Sequence, residues 1–133
     1  MIGLDSWIFL EYFVIGLKYK KCKKLVLSKE TKVISATALM EIMYKGAKIA
    51  GKIKVKRFLN DIKINPSIKI VDVDMKIAEK AANLRLKYYK RTERELSYSD
   101  CIHLATAILA KCKKFYSGDP DFKGIKEISI EII

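Results

Sequence analysis

Four acidic residues stand where the chain passes from one element to the next: Asp5, Glu41, Asp100 and Asp119. Asp5 closes the apolar run Met1 to Leu4 and precedes a helical pattern over Ser6 to Gly16. Glu41 lies in the second turn of a helix beginning near Thr37, among Leu39, Met40, Ile42 and Met43. Asp100 sits in the first turn of a helix that opens at Ser97, and Asp119 lies in the turn Gly118-Asp119-Pro120-Asp121-Phe122. Carboxylates packed together repel one another and titrate upward, so a fold that gathers them does so around a cation. A set of oxygen donors without a His or Cys cluster favours hard divalent ions, Mg²⁺ or Mn²⁺. Such ions hold a phosphate between carboxylates and promote in-line displacement by water.

Each acid also has an ordinary structural reading. Ser97-x-x-Asp100 fits a capping box, in which an acid at the third helical position satisfies a free backbone N–H. Asp5 is a favoured N-cap. Glu41 can pair with Lys45 one turn on and reach water. Gly-Asp-Pro-Asp is good turn chemistry, which would account for Asp119 and Asp121.

The elements that must position these residues alternate. Strands are expected at Met1 to Leu4, Lys32 to Ala36, Ile68 to Val73, Phe115 to Ser117 and Glu127 to Ile133. Helices fall over Ser6 to Gly16, Lys18 to Lys24, from Thr37 to Gly46 or Gly51, over Lys52 to Lys63 and Met75 to Lys90, and onward from Ser97. On the last of these, Cys101, Leu104, Ala105, Ile108, Leu109 and Cys112 form a core-facing stripe. This order predicts an α/β three-layer sandwich with a central, mostly parallel sheet between helices. In such sheets ligands bind beyond the carboxyl ends of the strands. Asp5, Glu41, Asp100 and Asp119 share that rim, but so do Asp72 and Asp74.

A length of 133 residues suits one domain, here residues 1–133. Lys and Arg outnumber Asp and Glu 27 to 15, and the net charge of +12 favours a polyanion such as nucleic acid. An acidic pocket on so basic a chain makes sense if basic flanks hold a nucleic-acid backbone while a metal ion lets the acidic centre accept a phosphodiester. The cysteines, Cys22, Cys101 and Cys112, lack the spacing of a zinc or redox motif and read as idle thiols of a reducing compartment. The apolar run Trp7 to Leu17 contains Glu11 and is too short for a membrane span, and no basic segment precedes it as in a signal peptide. A cytoplasmic protein without a membrane partner is the expectation.

Four blocks carry a resemblance: Met1-Ile2-Gly3-Leu4-Asp5-Ser6-Trp7-Ile8-Phe9-Leu10-Glu11-Tyr12, Ser35-Ala36-Thr37-Ala38-Leu39-Met40-Glu41-Ile42, Ser99-Asp100-Cys101-Ile102-His103-Leu104-Ala105-Thr106-Ala107 and Tyr116-Ser117-Gly118-Asp119-Pro120-Asp121-Phe122. In order and separation they resemble the four blocks of PIN-domain nucleases, and the compact length looks most like the VapC-type toxins of toxin–antitoxin pairs. The resemblance implies an Mg²⁺- or Mn²⁺-dependent endoribonuclease in which Asp5, Glu41, Asp100 and Asp119 are both catalytic and metal-binding. It also implies RNA as substrate, a small antitoxin protein as partner and a homodimer. Ser117 would help to position metal or substrate, and Asp121 matches a frequent second acid of the last block. Pro120 departs from the pattern there. His103 faces the same general side as Asp100, one turn on; a site role is open to it, but a helix histidine is more often a packed or exposed one. The rival readings are a non-catalytic PIN-like module that binds RNA or protein, and a stand-alone RNA-processing PIN nuclease. A phosphoacceptor receiver domain fits poorly, because Asp5 is not preceded by an acid.

Overall fold

The computed structural model describes residues 1–133. In chain order the elements are β1 (Ile2–Leu4), α1 (Ser6–Phe13), α2 (Tyr19–Leu27), β2 (Lys32–Ser35), α3 (Ala36–Ala50), α4 (Lys52–Ile64), β3 (Ile68–Val71), α5 (Met75–Tyr88), α6 (Tyr98–Leu109), β4 (Lys114–Ser117), a 3₁₀ turn (Pro120–Phe122) and β5 (Ser129–Ile132). The strands form one sheet in the order β3-β2-β1-β4-β5. Every neighbouring pair is parallel, so the expected three-layer α/β architecture is what the sequence folds into.

Side chains divide by strand alternation. Ile2, Leu4, Ile34 and Ile68 face the core under α1 to α4. Val33 and Phe115 face the other core, built with α5, α6 and the closing segment through Phe122 and Ile128. Burial of both faces is why the inner strands read as apolar runs. From β1 the chain winds outward through β2 to β3, then returns across the sheet to add β4 and β5 on the other side. The order therefore reverses between β1 and β4, and in such sheets ligands bind at that switch point, beyond the carboxyl ends of the strands.

Gly3 lets α6 approach that centre. A Cβ on Gly3 would stand 2.5 Å from the Cβ of Ala107, so only glycine admits the helix so close to β1.

Several boundaries differ from the sequence expectation. The helix at Tyr19 runs on to Leu27, because Cys22 and Val26 turn into the core. Of the two ends expected for α3 the helix takes the later, passing Gly46 to Ala50 and stopping at Gly51, whose φ of 90° suits glycine. The third and fifth strands are shorter than expected, ending at Val71 and beginning at Ser129. All three cysteines are buried free thiols. No helix is long and apolar enough to cross a membrane.

Candidate active site

Asp5 follows β1 at the switch point. It occupies the N-cap position of α1 yet makes no side-chain cap bond. Its carboxylate instead turns inward, where the residue is only 4% exposed, and Oδ2 accepts a hydrogen bond from Ser117 Oγ at 2.7 Å. Ser117, at the end of the adjacent β4, is fully buried and also accepts the Asp119 backbone N–H at 3.0 Å. One hydroxyl thus links the ends of β1 and β4. Burial raises the Asp5 carboxyl from 3.8 to about 6. His103 and the Ser117 bond oppose that rise, while the charges of Asp100 and Glu41 add to it.

Asp100 makes the capping box that Ser97-x-x-Asp100 suggests. Asp100 Oδ2 accepts the Ser97 N–H at 2.9 Å, and Ser97 Oγ accepts the Asp100 N–H at 3.0 Å. The cap does not remove Asp100 from the rim. Burial raises its carboxyl against the Ser97 bonds and His103, and the charge of Asp119 pushes it further up. One acid both starts α6 and shares a field with Asp5 and Asp119.

Glu41 makes the predicted i,i+4 pair with Lys45, at 3.6 Å. It also makes a contact that sequence reasoning missed: Oε1 lies 2.5 Å from His103 Nε2. Burial alone would raise the Glu41 carboxyl, but the His103 bond and Lys45 outweigh it and hold it below the ordinary range.

Asp119 Oδ1 accepts the Asp121 N–H at 2.9 Å, and Pro120 opens the 3₁₀ turn where its fixed φ is welcome. The turn reading of Asp119 is therefore correct as far as it goes, and Pro120 leaves the residue next to Ser117. Asp74 caps α5 through Ile77 N–H at 2.9 Å, and Asp72 is exposed. These two acids are accounted for without the site.

His103 is the residue the sequence undervalued. It is 2% exposed, with Nδ1 2.7 Å from Ser35 Oγ and Nε2 between Glu41 and Asp5, whose Oδ1 is 3.9 Å away. The available signal was a lone histidine one turn after Asp100, on the buried side of its helix.

The donors fit a hard divalent ion in kind. They are carboxylate oxygens, and the most buried of them carries a raised proton affinity among like charges. In position they stand apart, for no three His, Cys, Asp or Glu side chains are close enough to hold one ion. Glu41 leans to His103 and Lys45, Asp100 to Ser97, and Asp119 to Asp121. Like charges close in only around a cation, so side-chain rotations would accompany binding.

The profile of the PIN domain family matches residues 2–128. Among curated proteins none matches. The toxin VapC20 of Mycobacterium tuberculosis, described as cleaving the sarcin–ricin loop, superposes with a TM-score of 0.78 at 17% identity over 97% of this chain and 99% of its own. VapBC2 of Rickettsia felis, bound to a fragment of its promoter DNA, gives 0.74 at 20% identity over 99% and 98%. A toxin–antitoxin complex from Klebsiella pneumoniae gives 0.70 at 23% identity over 96% and 93%. At these identities the superpositions speak for the fold.

Proposed function

The chain belongs to the PIN domain family, and on that premise we propose that it is an Mg²⁺- or Mn²⁺-dependent endoribonuclease, the toxin of a toxin–antitoxin pair. The observation that carries this reading is the field shared by four acids on separate elements at the switch point of a chain whose net charge is +12. Asp5, Glu41, Asp100 and Asp119 would hold the ion or ions. When bound, a divalent ion supplies positive charge for the phosphate and acidifies water for attack on phosphorus. Ser117 keeps Asp5 aimed into the crevice and ties it to the Asp119 turn. Lys45, beside Glu41, is placed to meet a backbone phosphate, with the basic runs Lys18 to Lys24 and Lys52 to Arg57 as further anchors.

RNA is then the substrate and a small antitoxin protein the partner. The antitoxin's simplest means of inhibition is a guanidinium laid against the carboxylates. A homodimer in the cytoplasm, built from residues 1–133 as one unit, completes the reading.

The test is cleavage of a mixture of structured RNAs in Mg²⁺, Mn²⁺ or EDTA, with Asp5→Asn and Asp100→Asn alongside. Cutting that needs the ion and is lost in both variants supports the proposal. RNA binding that ignores the ion, with no cutting, would instead favour a binding module. Equal cutting by the variants would remove the acids from the mechanism.

A further inference from the structure

The chain's one histidine is bound at both ring nitrogens by groups from the α3 region, although it belongs to α6. Ser35 is the N-cap of α3, and its Oγ accepts the Ala38 N–H at 3.3 Å. The same Oγ lies 2.7 Å from His103 Nδ1. A carboxylate oxygen only accepts, so His103 Nε2 carries a proton and donates it to Glu41 Oε1 at 2.5 Å. Both ring nitrogens are thus partnered, and the ring has no water to turn to, since its side chain is 1% exposed.

We propose that His103 is a positioning residue: braced by Ser35, it fixes the carboxylate of Glu41 toward the crevice it shares with Asp5. This rests on the reading of Glu41 as a cation ligand. Glu41 has three rotatable bonds and a competing partner in Lys45, which is more than half exposed and pulls the carboxylate toward solvent. His103 holds Oε1, while Oε2, 3.6 Å from Lys45 Nζ, is the oxygen a cation would take over from the lysine. Because Asp100 lies one turn away on the same helix, the bond also sets the separation of Glu41 from Asp100 by tying α3 to α6. Hydrogen-bonding partners of ligand side chains raise metal affinity by roughly 10–100-fold.

Mn²⁺ titration of the whole protein, read by the electron paramagnetic resonance of free Mn²⁺, tests this without reference to activity. His103→Leu should weaken Mn²⁺ binding by about tenfold or more. His103→Gln, whose amide can still donate to Glu41, should restore most of that loss. Ser35→Ala should weaken binding severalfold by releasing the ring. In a Glu41→Gln background both His103→Leu and Ser35→Ala should have no further effect, since a merely structural role would cost the same in either background. If His103→Leu does not fold, the Ser35→Ala cycle decides. Wild-type affinity in these variants, or the same loss with and without the Glu41 carboxylate, overturns the positioning role while leaving the metal site standing. Absence of Mn²⁺ binding by the wild type, with Asp5→Asn as its reference, overturns both.

Discussion

Asp5 is costly where it stands. Its carboxyl titrates at about 6 in the folded chain against 3.8 ordinarily, because burial disfavours the charged form. The folded state therefore binds this proton more tightly than the unfolded state does. Its contribution to stability is full below the ordinary value and is lost as pH rises through about 6. A shift of that size corresponds to about 3 kcal/mol as an upper bound. Asp100 acts in the same direction, whereas the Glu41 contribution is present above the ordinary glutamate range and is lost on acidification. In EDTA at neutral pH, Asp5→Asn should melt several degrees above wild type while losing cleavage. Its stability should also lose the decline between pH ~4 and ~6. Thermal melts across that range check both statements, and a less stable variant would show that Asp5 is a structural asset. Mn²⁺ affinity should fall as pH drops through the Asp5 transition, because the ion and the proton compete for one carboxylate. Titrations at pH ~5 and ~7.5 read this directly.

At the scale of elements, the site depends on how closely α6 lies over β1. Gly3→Ala would bring a Cβ to 2.5 Å from Ala107 Cβ and force the helix outward. It should cost about 1–3 kcal/mol of stability and lower cleavage by moving Asp100 and His103 away from Asp5 and Glu41. Ala107→Gly should recover much of both losses in the double variant. A double variant no better than Gly3→Ala would show that contact does not set the site. This dependence on packing also explains what the sequence could tell. Alternation of apolar strands and amphipathic helices was plain, and with it the common rim, because both follow from local periodicity. The capping box of Asp100 and the turn at Asp119 were legible for the same reason. The bond between Glu41 and His103 was not, because it spans 62 residues and exists only once α3 and α6 are packed. Nor could the rim separate Asp74 from Asp5. Both stand at N-cap positions, and only the structure shows that Asp74 caps while Asp5 turns inward.

At the scale of the whole molecule, a strongly basic chain carries an acidic crevice, so affinity and chemistry are separable. Asp100→Asn should still bind RNA, with affinity falling steeply as salt rises, by about 0.7 in log–log slope for each phosphate held by a single strand. A flat salt dependence would show that the basic faces do not hold the substrate. The central claim is that Asp5, Glu41, Asp100 and Asp119 form one cation site, and anomalous diffraction from crystals grown in Mn²⁺ tests it most directly. The predicted result is a peak in the crevice between β1 and β4, about 2.0–2.5 Å from an oxygen of Asp5 and from at least one other of the four carboxylates. Ordered Mn²⁺ elsewhere on the protein, with none touching Asp5 at saturating concentration, would contradict the account.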